Sequence, residues 1–184
     1  MNRFLLAAVA AILPWTSASA EPVPGGRANV VVQPEPPSLM LGLVQNAPAQ
    51  MVAGNIYEGL LRYDSDLQPM PSLAKSWTVS DDGLTYTFNL EEDVKWHDGA
   101  PFSSADVVFS ADVFLRESHP RFRAILEHVA SIEAPDDNTV VFTLKSSFGP
   151  FLNAFEVGSM PIVTSRSSRR ATATASVTAA AKAS

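Results

Sequence analysis

The feature that most constrains the fold is a strict alternation of apolar and polar side chains over residues 84–90. Its apolar members occupy every second position: Leu84, Tyr86, Phe88 and Leu90. Because successive side chains of a β-strand point to opposite faces of a sheet, this pattern predicts a strand with one buried face. A short strand predicted at 77–79 and the turn sequence Ser-Asp-Asp-Gly at 80–83 precede it, so we expect a β-hairpin.

A second hairpin is predicted further along the chain. Residues 129–133 form one expected strand, and Pro-Asp-Asp-Asn at 135–138 forms the turn. The returning strand has an apolar face made of Val140, Phe142 and Leu144. Two hairpins of this kind favour antiparallel pairing.

Helices are predicted between and around the hairpins. Residues 48–60 carry apolar side chains at near-helical spacing, with Asn46 as the expected cap. Ser103 and Asp106 have the spacing of a capping box, and the helix that they begin should end before Pro120. A further short helix is expected over 148–155.

Other segments should be extended. The β-branched run at 28–33 predicts a buried strand, 94–96 extends the sheet, and 161–163 begins another extended piece. Hairpins and helices are mixed without a βαβ rhythm, so we expect an α+β fold.

The first 20 residues have the pattern of a secretory signal peptide. Arg3 precedes an apolar run that ends at Leu13, and Ala18-Ser19-Ala20 forms a small-residue cleavage site. A membrane span needs about 20 apolar residues, and this run is half that length. We therefore expect cleavage after Ala20, a flexible leader over 21–27, and export of a cysteine-free product to a bacterial periplasm.

Composition excludes several classes of function. Residues 21–165 hold 8 basic and 19 acidic side chains, a net charge of −11, which argues against nucleic acid as a partner. The absence of cysteine excludes disulfides and thiolate sites. In residues 166–184, 14 of the 19 side chains are Ala, Ser or Thr, so we expect this tail to be disordered.

No catalytic residue, metal site or cofactor site is predicted. The adjacent acids at 81–82 and 136–137 stand in turn sequences, where Asp side chains bond to the local backbone. His97, His119 and His128 lack metal-ligand spacing and are expected at the surface. The sequence contains neither a nucleophile elbow nor a phosphate-binding loop. Large aromatic residues such as Trp96 and Phe102 are expected in the core.

Ordered sequence blocks carry a resemblance to a known family. They are Tyr-Glu-Gly-Leu-Leu at 57–61, Pro-Ser-Leu-Ala-Lys-Ser-Trp at 71–77, Asp-Asp-Gly-Leu-Thr-Tyr-Thr-Phe-Asn-Leu at 81–90 and Val-Lys-Trp-His-Asp-Gly-Ala-Pro-Phe at 94–102. Together with Ala-Asp-Val-Val-Phe-Ser at 105–110 and the second hairpin, they resemble the family 5 extracellular solute-binding proteins. These proteins are the oligopeptide-, dipeptide- and nickel-binding components of ABC importers.

The resemblance implies a partial periplasmic-binding-protein type II fold. Residues 28–163 would form part of the first lobe with its extra subdomain, and the second lobe would be missing. The family continues differently after Val163, so residues 164–184 are interpreted as an out-of-family tail produced by a frameshift. The chain as written is then expected to be truncated and non-functional by itself.

The resemblance also implies ligand contacts at two places. Gln45, Asn46 and Ala47 match a family loop that touches the ligand, and Arg121 lies near a position where relatives present an aromatic residue. Relatives have an acidic residue where Gln45 stands, so contact with a charged amine should be weaker here.

The implied function is a periplasmic substrate-binding component for peptides or similar small solutes. Its partners would be an inner-membrane ABC permease and its ATPase subunits, and the protein is expected to be monomeric. No enzyme activity or cofactor is implied. Two alternatives stay open, a small secreted hydrolase and an independent secreted interaction module.

Overall fold

The computed structural model describes residues 25–166. The chain divides into two units, residues 1–31 and residues 32–184, and the described part of the first, 25–31, has no regular secondary structure. The strand predicted at 28–33 is wrong, since Val30 and Val31 are 71% and 81% exposed and no described strand pairs with this run. A β-branched run forms a strand only where a neighbour completes its backbone hydrogen bonds. The predicted signal peptide and most of the leader and tail lie outside the described residues.

Two antiparallel hairpins form a four-stranded sheet in the order β3-β4-β6-β5. Its strands are β3 (Ala74–Val79), β4 (Thr85–Leu90), β5 (Val129–Asp136) and β6 (Thr139–Leu144). The two inner strands, β4 and β6, bury every second side chain, as the alternation predicts. A smaller sheet pairs β1 (Leu61–Tyr63) with β2 (Pro69–Pro71). Both predicted hairpins are confirmed.

The core lies against one face of the larger sheet and is rich in phenylalanine. Phe88 and Phe142 project from β4 and β6, and their ring centroids lie 5.8 Å apart at an interplanar angle of 87°. The predicted short helix forms as a 3-10 helix, Gly149–Phe155, and supplies Phe151 and Phe155. The Phe155 centroid lies 4.5 Å from that of Phe88 and 5.0 Å from that of Phe142. Such edge-to-face and tilted pairs add about 1 kcal/mol each beyond the area that they bury.

The helix predicted from the capping box runs without a break from residue 104 to residue 118. It consists of α2 (Ser104–Val108), a π-helical segment (Phe109–Leu115) and α3 (Arg116–Ser118). The backbone N–H of Ser103 donates to the Asp106 carboxylate at 3.2 Å, which confirms the predicted start. Inside the helix, the buried Ser110 hydroxyl lies 2.7 Å from the Asp106 carbonyl oxygen, and such backbone contacts are associated with irregular helical turns.

Sequence patterns did not predict the helix α4 (Pro120–Leu126). It is seven residues long and buries Phe122 and Leu126, too few positions to show a helical period. His119 precedes it and is fully buried, so the prediction of a surface histidine is wrong at this position. Its Nδ1 accepts a hydrogen bond from the Phe122 N–H at 3.1 Å, and this bond caps the helix.

The first helix is shorter than predicted. α1 spans Ala47–Ala53, with the Asn46 side chain accepting from the Ala49 N–H at 2.8 Å as expected of a cap. Gly54 ends the helix, where glycine is unfavourable for continuation. Leu60 lies instead in the core, and its carbonyl accepts from the Ala74 N–H at 3.0 Å. Tertiary packing therefore separates residues 54–60 from the helix.

Residues 94–96 do not extend the larger sheet as predicted, because Lys95 makes only an isolated bridge with Pro101 in the described chain. Residues 161–163 are buried and belong to no strand, and the Val163 N–H donates to the Ser110 hydroxyl oxygen at 2.8 Å. The described elements confirm the predicted α+β class. Among the described helices, none has the length and apolar character to cross a bilayer.

Candidate functional site

A cleft of about 250 Å³ lies between the loop after α1 and the loop after β4. Its floor is apolar and is formed by the buried side chains of Leu73, Phe102 and Ile162. Residues 54–58 form one wall, and residues 94–97 form the other. Polar side chains at the mouth of such a cleft can orient a ligand whose body lies on the apolar floor.

Backbone hydrogen bonds give the first wall its shape. The N–H groups of Ile56 and Tyr57 both donate to the Ala53 carbonyl, at 2.8 and 3.0 Å, and turn the chain out of α1. The Glu58 carbonyl then accepts from the Ile162 N–H at 3.0 Å. This bond holds the buried segment at 161–163 next to the first wall, so residues about 100 positions apart in the chain line the same cleft.

The second wall is a tight turn that begins at Trp96. The Trp96 N–H donates to the Ala100 carbonyl at 2.8 Å, and the Trp96 carbonyl accepts from Gly99 at 2.8 Å. Gly99 has a φ of 81°, which a residue with a side chain adopts only with strain. Across the cleft, the imidazole Nε2 of His97 lies 3.5 Å from the Ile56 carbonyl oxygen, which places the two walls next to each other.

The Trp96 ring has a defined orientation. Its indole Nε1–H donates to Asp106 Oδ2 at 3.1 Å, and its ring meets Phe102 edge to face at 6.1 Å. Asp106 is only 5% exposed, and its Oδ1 also accepts from the Ser165 N–H at 2.8 Å. A buried carboxylate that is satisfied by several donors has little freedom to move, so it keeps the indole in place.

Two charged residues are among those that line the cleft. Glu58 lies on the first wall and Lys95 on the second, and both are exposed. Neither belongs to any of the ion pairs found among residues 25–166. Burial raises the pKa of the nearby Tyr57 phenol, whose hydroxyl contacts the Met40 sulfur at 3.4 Å. A cleft that combines an apolar floor with exposed charges can bind a small molecule. No group of three metal-ligating side chains occurs in the described part of the chain.

The predicted ligand-contact residues lie outside this cleft. Gln45 and Asn46 are half-buried, Ala47 is exposed at the first turn of α1, and the Asn46 amide oxygen is occupied by its capping bond. Arg121 is exposed on the first turn of α4. No hydrogen bond or ion pair joins Arg121 to residues 45–47 among those found in the described chain. Their role in ligand contact stays a prediction.

The adjacent acids stand at turns: Asp82 lies in the turn between β3 and β4, and Asp136 is the last residue of β5, directly before the turn at 137–138. Asp82 accepts from the Leu84 N–H at 3.0 Å, and its hydrogen bond with the Ser80 hydroxyl lowers its pKa below the ordinary value. Asp136 accepts from the Asn138 N–H at 2.8 Å. These carboxylates therefore stabilise the turns by accepting hydrogen bonds from the local backbone.

Sequence reasoning missed the cleft residues, although the signal was present. Trp96 and Phe102 were expected in the core, and they do contribute a wall and a floor. Glu58 and Lys95 lie inside two of the family-like blocks but were not singled out. The available clue was that each of these blocks places a charged residue beside an aromatic one, Glu58 after Tyr57 and Lys95 before Trp96.

Comparison with known proteins supplies the family. A family described as bacterial extracellular solute-binding proteins, family 5 Middle, matches residues 68–181. The glutathione-binding protein GsiB of Salmonella typhi is 40% identical over 106 residues, which cover 57% of this chain and 21% of that protein. GsiB of Pectobacterium atrosepticum is 40% identical over 109 residues with the same coverage. The chain thus spans about a fifth of the length of these relatives.

Solved structures give the same result. The binding protein AgaA from A. tumefaciens, in complex with agropinic acid, has a TM-score of 0.66 and 32% identity over 72% of this chain and 27% of its own. DppA from Helicobacter pylori, in complex with a peptide, has a TM-score of 0.61 and 29% identity over 72% of this chain and 30% of its own. The described elements form part of a periplasmic-binding-protein type II fold.

The family match includes residues 164–181, so it lends no support to an out-of-family tail, which stays a hypothesis. The match covers more than half of the chain. The chain belongs to the family 5 bacterial extracellular solute-binding proteins.

Proposed function

We propose that this chain provides the N-terminal part of a periplasmic substrate-binding component of an ABC importer for peptides or similar small solutes. The observation that carries the proposal is the likeness of residues within 25–166 to binding proteins solved with a peptide or with agropinic acid. Relatives named for glutathione binding support the same role. The partners would be the permease and its ATPase subunits in the inner membrane.

Binding in this function requires no covalent chemistry. A ligand that contacts two lobes favours the closed state of a hinge, and the permease can recognise that state. The match covers 21% of the length of the GsiB relative, and we propose that these residues supply one part of a peptide-binding surface. Because a ligand pocket ordinarily encloses about 70–90% of its ligand, we propose that the chain alone binds peptides weakly and is non-functional without a second lobe.

A chimera tests the proposed function. The matching region of full-length GsiB is replaced by this chain's residues 68–163, and glutathione binding is measured by isothermal titration calorimetry. We expect the chimera to bind within about tenfold of GsiB itself, that is, within about 1.4 kcal/mol. A matched chimera carrying Phe88→Ala should lose binding together with its fold. A chimera that folds cooperatively but binds no glutathione would contradict the proposal.

Binding by the chain alone is tested separately with the 184-residue protein. A mixture of short peptides is titrated into the purified protein, and millimolar or weaker affinity is expected. A micromolar affinity would show that the chain needs no second lobe. Size-exclusion chromatography with light scattering then tests whether the protein is a monomer, as we propose.

The hydrolase alternative has no observation in its favour. The adjacent carboxylates do not supply its acid–base pair, since Asp82 and Asp136 bond to the backbone at turns. Binding of a small solute is therefore the function that we propose.

A further inference from the structure

We propose that the cleft between residues 54–58 and 94–97 is a separate binding site for a small zwitterion with an apolar body, such as a free amino acid with a large apolar side chain. This site goes beyond the proposed function, because it needs no second lobe: all the residues that line it lie within residues 54–162 of this chain. It lies apart from the predicted ligand contacts at residues 45–47 and 121.

The size and lining of the cleft select the body of the ligand. Its volume of about 250 Å³ is below the range of about 300–1,000 Å³ that suits drug-sized molecules, so a single amino acid is the better match. Leu73, Phe102 and Ile162 offer a floor without charge. The Trp96 indole, held by Asp106, offers a rigid aromatic wall. Burial of an apolar ligand side chain against these groups favours binding by about 25 cal/mol per Å² of apolar surface removed from water.

The charged residues that line the cleft select the polar end of the ligand. Glu58 on one wall can accept hydrogen bonds from an ammonium group, and Lys95 on the other can donate to a carboxylate. The three ion pairs of the described residues use other side chains, so the carboxylate of Glu58 and the ammonium of Lys95 have no ion-pair partner there. A ligand that carries both charges satisfies both walls at once, whereas a singly charged ligand satisfies only one.

The two walls have a direct contact that keeps them close. His97 Nε2 lies 3.5 Å from the Ile56 carbonyl oxygen, and the Glu58 backbone is bonded to Ile162 beneath the floor. Opposite charges on walls that are tied in this way can act on one small molecule.

L-Phenylalanine is the probe, and binding is measured with the full-length chain by isothermal titration calorimetry and by saturation-transfer NMR. Three analogues separate the contributions: phenethylamine lacks the carboxylate, 3-phenylpropionate lacks the ammonium, and N-acetylphenylalanine amide lacks both charges. We expect L-phenylalanine to bind at least tenfold more tightly than any of the three.

Variants assign the binding to the cleft. Glu58→Gln and Lys95→Met should each weaken L-phenylalanine binding at least tenfold. The matched controls are Glu92→Gln and Lys75→Met, which remove an exposed ion pair elsewhere and should leave the affinity unchanged. Thermal unfolding verifies that each variant is folded.

Three results would overturn the proposal. They are no binding of L-phenylalanine to the folded chain at about 10 mM, equal binding of the uncharged analogue, or unchanged affinity in both Glu58→Gln and Lys95→Met. Glutathione binding by the GsiB chimera is a separate readout of the proposed function. A loss there with L-phenylalanine binding retained, or the reverse, distinguishes the failure of one proposal from the failure of the other.

Discussion

The indole Nε1–H of Trp96 donates to the carboxylate of Asp106 at 3.1 Å, so a wall of the cleft is bonded to a buried side chain in the first turn of α2. The same carboxylate accepts from the backbone N–H groups of Ser103 at 3.2 Å and Ser165 at 2.8 Å. A single side chain thereby joins the turn at Trp96 and the start of α2 to Ser165, which lies 59 residues after Asp106 in the chain. Because the Asp106 carboxylate is buried, its three donors cannot replace it by a water molecule unless the structure opens locally.

Replacement of Asp106 by alanine should destabilise the fold strongly. Three donors would lose a charged acceptor, and one such hydrogen bond is worth about 1.5–3 kcal/mol. We expect the free energy of unfolding, measured by urea titration, to fall by about 3 kcal/mol or more. Asp112→Ala removes an exposed ion pair with Arg116 and should cost less than about 1 kcal/mol. Equal losses in the two variants would contradict the role assigned to Asp106.

Gly59→Ala should also be severely destabilising. A Cβ atom at this position would lie 2.5 Å from the Phe155 carbonyl oxygen and 2.7 Å from the Val157 nitrogen, and both are backbone atoms. Overpacking against backbone costs about 3 kcal/mol. Gly149→Ala is the matched control, because a Cβ atom there would meet no atom within 4 Å, and it should change stability by about 0.5 kcal/mol or less. Thermal unfolding of the two variants checks this difference.

The stability of the protein should fall on mild acidification because of His119. Burial lowers its pKa below the ordinary value of 6.5, and the charge of Arg121 acts in the same direction. The backbone of Gly158 and the carboxylate of Glu156 raise it in part, while Nε2 makes no hydrogen bond to the described residues. The unfolded chain therefore binds a proton more readily than the folded chain. The contribution of neutral His119 is complete above about pH 6.5 and decreases as the pH falls toward the folded-state pKa.

His119→Asn tests this pH dependence, because asparagine can cap α4 without titrating in this range. Urea unfolding between pH 7.5 and pH 5.5 should show a smaller loss of stability in the variant than in the parent chain. An unchanged slope in His119→Asn would refute the assignment.

Asn46→Ala should weaken the N-terminus of α1. Its side chain accepts from the Ala49 N–H at 2.8 Å, and loss of such a cap costs about 1 kcal/mol. Asn46→Asp retains an acceptor at the same place and should keep the stability of the parent in chemical denaturation. A loss as large in Asn46→Asp as in Asn46→Ala would mean that the side-chain oxygen is not what stabilises the helix.

Local patterns predicted those parts of the fold that depend on neighbours in sequence. The turn at 80–83, the alternation in β4, the capping box at Ser103 and the cap at Asn46 all involve residues within a few positions of one another. The early end of α1 was not predicted, because Leu60 is buried in the core by contacts with distant residues. The run at 28–33 was expected as a strand from its β-branched residues, yet strand formation requires a partner that the described chain does not supply.

By itself the sequence determined the hairpins, the capped helix and the family-like blocks, since turn chemistry and side-chain periodicity act over short distances. Only the tertiary structure decided that His119 is buried, that Asp106 joins Trp96 to Ser165, and that Glu58 and Lys95 line one cleft. Each of these features depends on contacts across many residues of chain, and such contacts are determined by the packing of the whole core.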